Sequence, residues 1–139
     1  MRKPRKWVIP LTYEPKILKV LSGDCTHTIR VGTKYQVGDL VMFHGWEGLP
    51  YRSKWSFRTP YWQLCEVKPL RIFPTGIMAE IDIEIVPWDH PILDLIARID
   101  GIEPPTGEEL GRVLASKNKI PVDGVDAQAI RWKYARAVA

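Results

Sequence analysis

Long apolar runs are missing from this 139-residue chain. No stretch approaches the roughly 20 residues that span a bilayer, so no membrane helix is expected. Cysteine is scarce: Cys25 and Cys65 are too few for a disulfide framework or a four-cysteine zinc ribbon. No pairing among Cys25, Cys65, His27, His44 and His90 has zinc-finger spacing, so neither a metal nor a cofactor is expected. The opening Met1-Arg2-Lys3-Pro4-Arg5-Lys6 is basic, but only Trp7-Val8-Ile9 follows before Pro10. That is no signal-peptide apolar region, and a reducing, cytoplasmic setting is the expectation. Internal repeats, low-complexity tracts and Gly/Ser linkers are absent as well. We therefore expect one domain over residues 7–139, preceded by a basic arm, 1–6, whose order the sequence leaves open.

What is present is globular in kind: 45% hydrophobic and 26% charged residues. The net charge of +4 is divided unevenly along the chain. Residues 1–73 carry 13 Lys/Arg against 5 Asp/Glu, whereas 74–139 carry 7 against 11. A basic half rich in aromatics points toward a polyanion, although charges from both halves can intermix on one folded surface.

Twelve prolines keep the elements short. Trp7–Leu11 reads as a strand, and Glu14–Gly23 as a two-turn helix with Pro15 near its start, Ile17, Val20 and Leu21 on one face and Gly23 as its stop. Strands are expected at Thr26–Val31, after the Val37-Gly38-Asp39 turn at Leu40–Phe43, and at Tyr61–Lys68. Ile77–Ile85 alternates isoleucine and alanine with Glu80, Asp82 and Glu84, which predicts one strand with a solvated acidic face. Asp89-His90-Pro91 opens a helix with the stripe Ile92, Leu95, Ile96, Ile99. Thr106-Gly107-Glu108-Glu109 is a capping box for another, with Leu110, Val113 and Leu114 inward. The tail around Ile130–Tyr134 alternates at period 2 and suits a closing strand, with a helix as the alternative because Ala127, Ala129, Ala135 and Ala137 favour one. This order predicts an α+β domain, a small β-barrel flanked by short helices.

Two segments carry chemistry. Residues 43–62 contain seven of the 14 aromatics. Phe43, Phe57 and Trp62 suit a core, whereas Trp46, Tyr51, Arg52, Lys54, Trp55 and Arg58 suit a hairpin that stacks bases and meets phosphates. In Gly23-Asp24-Cys25-Thr26-His27-Thr28-Ile29-Arg30 a helix stop runs into a strand, with Thr26, Thr28 and Arg30 on one face and His27 and Ile29 on the other. Cys25 follows a helix C-terminus, whose negative dipole end opposes a thiolate, so it is a weak candidate nucleophile.

The second segment resembles the ASCH-domain signature, Gly-x-Lys-x-x-Glu-x-Arg. The upstream Ile9–Ile17, the Val37-Gly38-Asp39 turn and Ile96-Ala97-Arg98-Ile99-Asp100-Gly101 are similar to further parts of that family. The likeness is closest over residues 7–45 and looser over 91–114, and 46–75 is individual. It implies a PUA-like barrel with a cleft between barrel and helices, and RNA as ligand. Some ASCH members deacetylate N4-acetylcytidine, and ribonuclease activity is associated with others. Gly23 and Arg30 match the signature. Thr28 stands at the glutamate position, as in the small amidohydrolases. Cys25 stands at the lysine position, whose amine those enzymes are thought to use in activating the attacking group, which argues against that mechanism.

Three functions follow as expectations. The first is a module that binds single-stranded RNA or a modified nucleotide through Thr28, Arg30 and the 46–58 hairpin. The second is an ASCH-type hydrolase in which Lys54 or a neighbouring cation replaces the missing lysine. The third is a protein-interaction domain anchored by the aromatic hairpin.

Overall fold

Proline and glycine set the boundaries of the first elements. The computed structural model describes residues 2–46, 54–79 and 84–136, without the side chain of Trp55. Strand β1 (Lys6–Pro10) leads into α1 (Glu14–Ser22), which has proline in its first turn and ends on Gly23 at φ 87°. Gly23 is required twice over. A Cβ there would sit 2.7 Å from the Tyr134 ring, and its left-handed backbone disfavours any other residue. Strands β2 (His27–Val31), β3 (Leu40–Trp46), β4 (Trp55–Arg58) and the 12-residue β5 (Trp62–Phe73) follow. Then come β6 (Gly76–Ala79), β7 (Val86–Pro87), α2 (Pro91–Ile99), α3 (Gly107–Lys117) and β8 (Val125–Trp132).

The chain is an α+β fold with three helices and an eight-stranded sheet among the described residues. Its main path runs β1-β3-β5-β6-β7; β4 pairs with β3, and β8 joins β5 to β2. β1 runs parallel to β3, and the other pairings are antiparallel. Among the described residues the hydrogen-bonded path does not close on itself.

Two apolar clusters hold the layers together. Phe43, Trp62 and Trp132 pack with Ile9, Val20, Val41 and Leu64 beneath α1. Phe43 and Trp132 lie 4.6 Å apart by ring centroids, and Trp62 stacks parallel to Trp132. The second cluster sets Leu93, Ala97, Leu110, Val113 and Leu114 of α2 and α3 against Ile29, Ile72, Ile77 and Ala127 of the sheet. Strand β2 contributes to the second cluster through Ile29 and leaves Thr28 and Arg30 between the helices.

Three sequence expectations are corrected. The single strand over Ile77–Ile85 is instead a reversal: Val86 pairs with Ile77 and Pro87 with Gly76, antiparallel. Part of that segment, 80–83, lies outside the described residues. Alternation reports a local period and carries no information about where the chain turns back. Gly76 permits the close pairing, since a Cβ there would meet the Val86 carbonyl oxygen at 1.9 Å.

Helix α2 is capped by His90 rather than Asp89, its Nδ1 accepting from the Ile92 amide at 3.1 Å. Its expected inward stripe is also displaced. Leu93 and Ala97 are buried, whereas Ile92, Leu95 and Ile99 are 46%, 55% and 55% exposed. A helix apolar on more than one side gives no unique inward face by period alone.

Of the capping box expected at α3 the Thr106 half forms, while the Glu109 carboxylate pairs with Arg112 and not with the Thr106 amide. Thr106 Oγ1 accepts from the Glu109 amide at 3.1 Å, and Leu110, Val113 and Leu114 are buried. The basic arm is tied down at Arg2, whose guanidinium donates to both carboxylate oxygens of buried Asp39 at 2.9 Å.

Candidate functional site

A cleft of about 520 Å³ opens between the end of β1 and the start of α1 on one side, β2 behind, and the ends of α2 and α3 on the other. This volume lies within the usual range for small-ligand pockets. Leu11, Ile102, Val113 and Leu114 supply its apolar lining. Its floor is polar and buried: Lys16, Thr28 and Asp100 are 4%, 6% and 4% exposed. Lys16 Nζ donates to Thr28 Oγ1 at 2.9 Å and to Asp100 Oδ1 at 3.2 Å. His27 Nδ1 approaches the same Asp100 oxygen at 3.0 Å. A buried lysine beside a carboxylate and a hydroxyl is a satisfied arrangement, because each partner offsets part of the cost of desolvating the others.

Local structure explains how these side chains meet. Lys16 stands one turn before the fully buried Val20 on α1, so it shares the helix's inward side. Asp100 caps the C-terminus of α2. A carboxylate is unfavourable at that negative end of the helix dipole, and Lys16 and His27 counter it there. Gly101, at φ 74°, keeps the chain close: a Cβ on it would lie 3.3 Å from Lys16 and 3.4 Å from Cys25 Sγ.

Arg30 and Lys117 stand in the cleft wall with Thr12, Tyr13 and Asn118. The charge of Arg30 bears on buried Tyr35, opposing the burial that raises the Tyr35 pKa. The Tyr35 amide donates to Gln128 Oε1, and the Gln128 side-chain amide returns a bond to the Tyr35 carbonyl, both at 3.0 Å. Lys117 donates to Thr12 Oγ1 and lies 5.8 Å from the centre of the Tyr13 ring. Desolvation, then the charges of Arg30 and Lys16, bring Lys117 down to about 8.

The sequence-predicted residues divide. Thr28 and Arg30 line the cleft. Cys25 does not stand open to it: the thiol is buried, 3.3 Å from the His27 carbonyl and 3.4 Å from that of Ile99, and burial pushes its pKa up despite nearby Lys16. That is the setting of an inert core thiol rather than a nucleophile. Lys54 immediately precedes β4 and Arg58 ends it, and neither is among the residues lining the cleft. Trp46 ends β3, half-buried, with its ring edge-to-face on His44 at 4.6 Å. Tyr51 and Arg52 lie outside the described residues, as does the side chain of Trp55.

Sequence reasoning missed Lys16, Asp100 and Lys117. Two of them left a signal. Lys16 is four residues from Val20, an apolar position of the same helix face, and Asp100 sits where a helix end disfavours a carboxylate. Lys117, in the last turn of α3, suits the helix dipole and offers no such sign. Among the described residues no group of three or more His, Cys, Asp or Glu could hold a metal ion. No helix there is long and apolar enough to cross a membrane. Comparison with models of known families, with curated proteins and with solved structures found no match.

Proposed function

We propose that this cleft binds single-stranded RNA or a single modified nucleotide, in a PUA-like domain of the ASCH type. One observation carries the reading: three cations, Lys16, Arg30 and Lys117, line a nucleotide-sized cleft in which Asp100 is the lone carboxylate among the described residues. The resemblance of Gly23–Arg30 to the ASCH signature supports it from the sequence. In this reading a base enters against Leu11, Ile102 and Val113. Further along the strand, Arg52, Lys54 and Arg58 are the candidates to meet phosphates, and Trp46, Tyr51 and Trp55 to stack on bases. RNA is favoured over duplex DNA because stacking on protein aromatics requires unstacked bases.

Fluorescence anisotropy with a labelled single-stranded RNA, at about 50 to 300 mM salt, tests it. Arg30→Ala should weaken binding about tenfold. Arg52→Ala with Lys54→Ala should reduce the magnitude of the log-affinity against log-salt slope by about 0.7 for each phosphate no longer neutralised. Binding that is indifferent to Arg30→Ala would exclude the cleft as the site.

A second reading, hydrolysis of an acylated base of the N4-acetylcytidine kind, is favoured by the Lys16–Thr28–Asp100 cluster. Cys25 stands where the ASCH signature has lysine, but Lys16 brings an amine to within 2.9 Å of Thr28 from a different element. Lys16 donates there to Thr28 and can position an attacking oxygen, and Asp100 holds the ammonium in place. Incubation with N4-acetylcytidine separates the readings. Release of cytidine and acetate, abolished in Lys16→Met, supports hydrolysis. Full RNA affinity with no turnover leaves the binding reading alone.

A further inference from the structure

We propose that Arg30 and Lys117 form a phosphate subsite in the cleft wall, so that the ligand is a phosphate ester rather than an uncharged nucleoside. The inference deepens the nucleotide-binding reading and rests on it for the base, though not for the phosphate. Its basis is the distribution of charge in the cleft. Lys16 is matched by Asp100 at 3.2 Å. Arg30 and Lys117 come from different elements, β2 and α3, to one wall, and neither forms an ion pair with a carboxylate among the described residues.

Holding two cations together without an anion is unfavourable, and a protein surface ordinarily relieves it by turning one into solvent. Here Lys117 is held at the wall by Thr12 and the Tyr13 ring, with the charge of Arg30 bearing on it. The fork of a guanidinium and the point charge of an ammonium suit the tetrahedral oxygens of a phosphate. Asn118 adds an amide at the same wall, although its Nδ2 already donates to the Leu114 carbonyl at 3.0 Å.

The groups facing Lys117 fix how the subsite should respond to pH. Arg30 from β2 and Lys16 from α1 bear on its charge, and Tyr13, at the approach to α1, lies beneath it. Asp100 is engaged with Lys16 and His27 on the floor. Glu109, on the same helix as Lys117, is paired with Arg112. Lys117 therefore loses its charge at lower pH than an ordinary lysine, and phosphate affinity should fall between about pH 7 and 9.

The test is a nuclear magnetic resonance titration of the full chain with inorganic phosphate, adenosine 5′-monophosphate, adenosine and a short single-stranded RNA. Phosphate and the monophosphate should shift the resonances of Thr12, Arg30, Lys117 and Asn118, and adenosine should bind about tenfold more weakly than its monophosphate. Lys117→Gln should weaken the phosphate titration about tenfold at about pH 7. Lys117→Arg should keep binding at about pH 9, where the native chain loses it, a rescue that a merely structural role for Lys117 would not produce. A monophosphate stronger than the RNA identifies a free nucleotide as the source of the phosphate, and the reverse identifies a strand.

Equal affinity for adenosine and its monophosphate would overturn the subsite and leave the nucleotide-binding reading standing. So would phosphate shifts confined to Lys3, Arg5 and Lys6. Phosphate shifts at Arg30 and Lys117 without binding of RNA or nucleotide would support the subsite and remove the nucleotide-binding reading.

Discussion

Replacing Lys16 by methionine keeps most of the side chain's bulk and deletes its charge, which isolates the electrostatics of the cleft floor. The Lys16 and Asp100 side chains are each 6% exposed, with 3.2 Å between Nζ and Oδ1. At an effective dielectric of about 20, unit charges at that separation attract by about 5 kcal/mol. Much of this offsets the cost of removing both charges from water, so the intact pair contributes little net stability. Breaking it is another matter: stranding one charge of a buried pair costs about 3–5 kcal/mol. Asp100 would retain His27 at 3.0 Å, which brings the cost of Lys16→Met to the bottom of that range or just below it, about 2–3 kcal/mol. Asp100→Asn should cost about as much, because Lys16 would be left with the Thr28 hydroxyl. The double variant strands no charge and should be about 2 kcal/mol more stable than the two single losses added together. Urea unfolding reads this directly. With a slope of about 1–3 kcal/mol per molar, each single variant should lower the midpoint by about 1–2 M. A coupling below about 0.5 kcal/mol would refute the view that Lys16 and Asp100 form one unit.

Acid should loosen the fold through Asp39. Burial works against its carboxylate, but the Arg2 fork, the Trp7 indole and the Arg5 and Gln36 amides outweigh burial and hold it well below the usual carboxylate range. A depressed folded pKa means that the unfolded chain takes up the proton first, so this stability is complete above about pH 5 and declines as pH falls further. Asp39→Asn should lose about 2–3 kcal/mol at about pH 6 and show a flatter decline toward about pH 2.5; parallel profiles for the two proteins would contradict this. The two thiols should separate as well. An aromatic disulfide reagent should label half-buried Cys65 promptly and buried Cys25 only as fast as the protein opens, so two equal rapid phases would place Cys25 outside the core.

Much of the fold was legible because its signals are local. Pro15 and Gly23 bracket α1, Thr106 and Glu109 close the cap of α3, and the turn at Gly38-Asp39 precedes β3 as expected. The same locality explains the errors. Period 2 identified β6 but not the antiparallel return of β7, and period 3.6 could not decide which apolar side of α2 faces inward. Closure of a barrel depends on which strands meet at the edges, a property of pairing partners many residues apart.

For the site, the sequence by itself pointed to Thr28 and Arg30, because alternation along one strand puts them on one face. Only the tertiary structure decided which amine stands beside Thr28. Lys16 lies nine residues before Cys25 on a helix, Asp100 at the end of another and Lys117 on a third, and none has any spacing relation to Thr28. Their meeting depends on packing α1 against one apolar cluster and α2 and α3 against the other, with β2 between. A buried ammonium is tolerated where a carboxylate and a hydroxyl meet it, and that convergence is made by packing between elements, not by any segment of the chain.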